Sequence, residues 1–257
     1  MAEPFFDITA EGAIDWLGNP VSCSDCPHEE NRVSGRCDLE KACVRDIRAR
    51  RIDRFFSLNP EVADHYLGHP FFEVRAIAAR YATPFRLVGL LSDPEADVRA
   101  AAASRLPEAR ILPLRSDPDR RVRISLARRL CGEALKPMLF DDDYQVRLTA
   151  ARSAPPDLLL LVIGDTDPEI RCEVARRIRA DHLPGLMGDR EPLVRIEVAR
   201  RMAPERLHLM ARDEDFRVRF AVAARIVPEA LQRLANDEDE AVAECARLRL
   251  EDILKKE

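Results

Sequence analysis

The chain has 257 residues, is 46% hydrophobic and has a mean hydropathy of −0.28, which allows a buried core and argues for solubility. The longest apolar run, LLLLVIG from Leu158 to Gly164, is far below the ~20 residues of a membrane span, and the opening MAEPFFDITAEG lacks the basic and apolar regions of a signal peptide. A cytoplasmic protein without a membrane segment is expected, and the balance of 46 acids against 41 bases gives no general attraction to nucleic acid.

At the N-terminus the charge is less even. Residues 1–44 carry nine acids and three bases, whereas residues 45–257 carry 37 and 38. The same stretch holds four of the seven cysteines, Cys23, Cys26, Cys37 and Cys43, in the spacing C-x2-C-x10-C-x5-C. Disulfides are uncommon in the cytoplasm, so clustered thiols there point to metal. Four thiolates suffice for tetrahedral zinc or for an iron–sulfur cubane. Structural zinc commonly uses two paired knuckles. One close pair and two dispersed cysteines suit the four separate corners of a cubane better, with zinc as the alternative. His28 and Asp25 read as solvent-facing loop residues, since four thiolates already complete a site. The surrounding acids would lower the potential of a cluster unless backbone N–H groups compensate. Cys131, Cys172 and Cys245 lie in different repeats and read as packing or incidental thiols.

From residue 69 a pattern recurs every 24 residues: HPFFEVR, DPEADVR, DPDRRVR, DDDYQVR, DTDPEIR, DREPLVR, DEDFRVR and DEDEAVA begin at 69, 93, 117, 141, 165, 189, 213 and 237. Residues 45–68 read as a degenerate earlier unit. A fixed period with worn ends is the mark of a solenoid. Within each repeat the apolar positions 6, 10 and 14 mark one helix face, and an acid or Asp-Pro ahead of them supplies the N-terminal signal. The rest of the unit leaves room for a short return, for which the spacing of positions 19 and 22 suits a 3₁₀ turn. Position 11, alanine from Ala79 to Ala223, is expected to let neighbouring helices approach closely.

Two arginine rows differ in position. Position 7, from Arg75 to Arg219, lies at the edge of the core stripe. The first repeat lacks acids at positions 1 and 3, and the last lacks the arginine. That offset predicts a bridge from each arginine to the position-1 or position-3 acid of the following repeat. Position 12 (Arg80, Arg128, Arg152, Arg176 and Arg200) lies opposite the core stripe and is the candidate partner-binding row.

The D-x-D-x-x-V-R-x-x-V-A-R-R-L pattern over roughly 45–257, with the four cysteines ahead of it, resembles the iron–sulfur-bearing leucine-rich repeat variant proteins known from nitrogen-fixing bacteria. The resemblance implies an all-α, right-handed superhelical solenoid of α-helices alternating with 3₁₀ helices, and a [4Fe–4S] cluster on Cys23, Cys26, Cys37 and Cys43. It implies no established activity. The expected organisation is a cluster domain, 1–44, and a solenoid, 45–257. No catalytic constellation, phosphate-binding glycine loop or small-molecule site is legible. The reading is a non-enzymatic scaffold that binds a partner protein, its cluster serving electron transfer, redox sensing or structure. The alternative is a nucleic-acid-binding solenoid with a redox- or iron-sensing cluster.

Overall fold

The computed structural model of the chain describes residues 12–255; the first eleven residues of the expected cluster domain and the last two of the array lie outside the described part. From Ala49 onward α-helices alternate with short 3₁₀ helices. The described residues contain no β-strand, only isolated bridges at Ile14–Pro20 and Asp38–Ala42. The chain divides between Leu130 and Cys131 into two compact units, and the 24-residue plan recurs in each.

Each repeat's helix starts where the sequence places it. The position-3 aspartate is the N-cap, as at Asp143, whose carboxylate accepts the N–H groups of Gln145 and Val146 at 2.9 and 3.3 Å. Glu95 and Glu191 stand at the same point without a side-chain cap bond, their extra methylene being ill-suited to the reach. Positions 6, 10 and 14 form the buried stripe: Val98, Ala102 and Leu106 in the repeat beginning at 93, Ile170, Val174 and Ile178 in that beginning at 165. The return is a single 3₁₀ helix in several repeats, such as Pro156–Val162 and Pro204–Met210. In three it opens instead with one α-turn, at Glu108–Ile111, Gly132–Leu135 and Pro228–Leu231. Each of those turns contains Glu-Ala, a strong helix-forming pair.

The position-7 arginines make the expected inter-repeat bridges, and the acceptor is the position-1 aspartate. Nε and Nη2 of Arg75 donate to Asp93 at 2.8 Å each, and those of Arg195 to Asp213 at 2.7 and 2.8 Å. The same fork recurs at Arg99–Asp117, Arg147–Asp165, Arg171–Asp189 and Arg219–Asp237. The remaining nitrogen, Nη1, turns back to its own repeat, where Arg195 donates to the Asp189 carbonyl at 2.7 Å. The aspartate meanwhile accepts the N–H two residues ahead, so that position 3 is free to cap the helix. In the first repeat His69 Nδ1 takes over that turn, accepting from the Phe71 N–H at 3.1 Å.

A second joint is absent from the sequence reading. Position 13 is arginine in Arg105, Arg129, Arg177, Arg201, Arg225 and Arg249, and each guanidinium donates to the position-11 alanine carbonyl of the preceding repeat. Arg225, for example, reaches the carbonyls of Ala199 at 2.8 Å and Met202 at 2.9 Å. Helices that stop early leave their last carbonyls without N–H partners, and a cation there also meets the negative end of the helix dipole. The alanines themselves are fully buried, from Ala79 to Ala223. The final helix, Glu240–Leu254, runs 15 residues. Its extra turns supply the N–H groups that an arginine of a following repeat would otherwise provide.

Candidate metal centre

The cysteine segment is shaped by short backbone turns. The Cys26 N–H donates to the Cys23 carbonyl at 3.2 Å, closing the C-x2-C turn. Helix Glu29–Val33 follows, and Gly35, at φ +74°, reverses the chain so that the Cys37 N–H reaches the Asn31 carbonyl at 3.1 Å. Asp38 then folds its carboxylate onto the N–H groups of Glu40 and Lys41, delivering Cys43. Cys37 and Cys43 are buried, while Cys23 and Cys26 are part-exposed.

The four cysteines of the segment are within reach of one another's charge. Burial pushes Cys37 up to about 12, with Cys43, Cys26 and Cys23 each adding to the shift through their charge. Burial likewise raises Cys43. Burial that opposes ionisation of Cys37 and Cys43 suits a cationic guest that exchanges for their protons. Among the described residues no three His, Cys, Asp or Glu side chains are grouped to hold a single metal ion. None of the seven cysteines is in a disulfide. Cys172 is buried on its repeat helix, Cys245 is part-buried and Cys131 is exposed.

His28 departs from the expectation of a solvated loop residue, while Asp25 is exposed as read. The His28 ring stands edge-on to Phe55 with centroids 4.9 Å apart, and its Nε2 hydrogen-bonds the Tyr66 hydroxyl. The apolar surface of Phe55 draws the imidazole inward, and burial lowers its pKa. Tyr66 is the residue that sequence reasoning missed. It belongs to the 3₁₀ helix Pro60–Tyr66, and burial pushes it up to about 12, with the charges of Cys26, Cys43 and Cys37 contributing. Its spacing from the cysteines carries no motif, so only the fold reveals it.

Further contacts lock residues 12–44 to residues 45–69. Asp46, fully buried, accepts from Arg51 Nη1 at 2.7 Å and from Arg48 Nη1 at 3.3 Å, and both guanidiniums also donate to the Gly12 carbonyl. Asn59 Nδ2 bridges the carbonyls of Arg36 at 2.9 Å and Phe55 at 2.8 Å. Phe55 occupies position 11 of the first unit, so the asparagine supplies the cap that a position-13 arginine provides elsewhere. Tyr81 stands at position 13 in the next repeat and bonds Asp53 instead.

The position-12 row is exposed in both units. Four of its members meet carboxylates: Arg80 with Asp53 at 3.3 Å, Arg152 with Glu169 at 3.0 Å, and Arg176 and Arg200 with Glu197 at 3.3 and 3.2 Å. A cleft of about 810 Å³ in the second unit is bordered by Arg219, Asp237 and Glu238, groups already committed to the inter-repeat joint. No helix among the described residues is long and apolar enough to cross a membrane.

Residues 13–65 match the family model described as the LRV protein FeS4 cluster. The chain is similar to the solved structure of a leucine-rich repeat variant with a novel repetitive structural motif: 38% identity and a TM-score of 0.82, covering 88% of this chain and 97% of that one. It is also 49% identical over 82 residues to a 27.7 kDa protein in the nifB 3′ region of Rhodobacter capsulatus. That match spans 32% of this chain and about a third, 34%, of the relative. Repeat plan, helix alternation and cysteine module agree with these likenesses, and the chain belongs to the iron–sulfur-bearing leucine-rich repeat variant proteins.

Proposed function

We propose that the protein is a non-enzymatic cytoplasmic scaffold whose repeat array binds a partner protein and whose Cys23, Cys26, Cys37 and Cys43 hold a [4Fe–4S] cluster. Bound there, a cubane supplies one-electron chemistry or a redox-dependent fold. The observation that carries the reading is the match of residues 13–65, which contain all four cysteines, to the family model of the LRV protein FeS4 cluster. Cys37 and Cys43 would provide the buried side of the site, Cys23 and Cys26 the part-exposed side, and Tyr66 would close it. The exposed arginines 80, 128, 152, 176 and 200 form the proposed partner face. Most of them sit among carboxylates, a mosaic that favours a protein surface over a phosphate backbone.

Protein purified without oxygen is expected to be brown, with about four iron and four sulfide per chain. Cys37→Ala should lose the colour and Cys172→Ala should keep it. One zinc with no labile sulfide would refute the cluster assignment. An anaerobic pulldown with the intact chain tests the scaffold role, and recovery of DNA or RNA in place of protein would shift the assignment to the nucleic-acid alternative.

A further inference from the structure

In later repeats positions 6, 10 and 14 carry the buried stripe. In the first unit those positions hold Arg50, Arg54 and Leu58, and all three are exposed. Helix Ala49–Leu58 buries Ile52, Phe55 and Phe56, at positions 8, 11 and 12: position 11 stays inward as in the later repeats, but the stripe positions do not. Ile52 and Phe56 lie two places, more than half a helical turn, beyond Arg50 and Arg54, which face away from the core. Arg50, Arg54 and Leu58 follow one another at i, i+4 and i+8 and therefore lie on one face.

That face borders a groove of about 500 Å³ lined by Lys41, Arg48, Arg50, Arg51 and Arg54, with Glu40 and Asp53 as its acids. Arg48 and Arg51 are held down by the buried Asp46. Lys41, Arg50 and Arg54 are exposed, and their side chains make no ion pair or hydrogen bond among the described residues. Three unpaired cations thus project at the edge of a segment that is otherwise acidic. The groove also adjoins the thiol site, because the Arg51 carbonyl accepts the N–H of Cys43 at 3.2 Å.

We propose that this groove docks an acidic protein surface beside the cluster site. The inference rests on the partner-binding reading and gives that partner a chemistry: a few clustered carboxylates with an apolar side chain to meet Leu58. A small cationic patch containing two acids fits a local carboxylate cluster. It does not fit the uniform charge ladder of a nucleic acid, whose phosphates would also meet Glu40 and Asp53. Docking of this kind is steered by charge and weakens as salt screens it.

The test compares the intact chain with Arg50→Glu/Arg54→Glu and with the milder Arg50→Gln/Arg54→Gln, checking helicity and cluster colour in each. The probe is a short poly-glutamate peptide, with single-stranded DNA of equal charge as the comparison. Expected are salt-dependent binding of the peptide, a loss on the order of tenfold in the Glu variant and a smaller loss in the Gln variant. Equal peptide binding by wild type and the Glu variant would overturn the proposal. So would tighter DNA binding that the Glu substitutions abolish, or a low-salt dimer that they dissociate. The pulldown separates this inference from the broader reading. A partner captured equally by wild type and the Glu variant defeats the groove and leaves the scaffold standing, whereas absence of any captured partner defeats the scaffold.

Discussion

Between residues 12 and 69 almost every joint is used once, whereas from His69 onward the same joints return every 24 residues. The N-terminal part is held by the buried Asp46, the Asn59 bridge and the His28–Tyr66 pair, each with partners found nowhere else in the chain. The array is held by arginine forks and alanine contacts that any neighbouring repeats could make. The difference bears on how damage should spread. A one-off joint has no substitute, so its loss should be felt throughout the cap. A repeated joint should fail locally, because each repeat leans mainly on its neighbours.

The strongest challenge to this contrast is Asp46→Ala. It leaves the Arg48 and Arg51 guanidiniums facing a buried site without their carboxylate, at a cost of about 3–5 kcal/mol. Denaturant unfolding should show that loss in the N-terminal transition, with amide exchange in residues 165–237 unchanged. Protection lost equally in both places would show that cap and array unfold together.

Arg219→Ala should cost less, about 1–3 kcal/mol, because the pair keeps some access to solvent. It should raise exchange chiefly around residues 213–243. The effect carries a pH signature. The Arg219 hydrogen bond holds Asp237 below its ordinary 3.8, against the opposing effect of burial. A carboxylate whose pKa is lowered by folding contributes fully above its unfolded value, and the contribution fades as pH falls through the folded one. The gap between wild type and variant should therefore stay constant from pH 8 to 5 and shrink below about pH 4. A gap that closes between pH 7 and 5 would identify a different group as the acceptor.

The smallest effect is expected at Arg152→Ala. Arg152 and Glu169 are both more than half exposed, and such pairs contribute less than about 0.5 kcal/mol. A thermal midpoint lowered as far as by Arg219→Ala would mean that the exposed row holds the array together.

Much of the array was legible before the structure because its joints recur. The offset of Arg75 and Ala243 against His69 and Asp237 is enough to predict pairing between repeats. Which acid accepts was not legible, since choosing position 1 over position 3 depends on how the loop turns before the helix. The arginines at position 13 were passed over because their partners are carbonyl oxygens, which every residue has and no motif records. Their signal is the proline at position 15 or 16, as in Pro107, Pro155, Pro204 and Pro228, which ends a helix early and leaves carbonyls to be capped. The different buried face of the first helix is legible in the spacing of Ile52, Phe55 and Phe56, which departs from the 24-residue pattern. His28 and Tyr66 are brought together across 38 residues by aromatic packing, which nothing local announces.

The two arginine joints also bear on how such a chain can change in length. Both join a repeat to its immediate neighbour: position 7 reaches forward to the next aspartate, and position 13 reaches back to the preceding carbonyls. Excising or duplicating one 24-residue unit inside the array removes or adds a matched half of each joint, except at the repeat beginning at 141, where Ser153 stands at position 13. Unequal recombination within the coding sequence would then give folded products of different reach. The unmatched halves at either end, taken up by His69 and Asn59 at one and by the prolonged final helix at the other, would stay where they are.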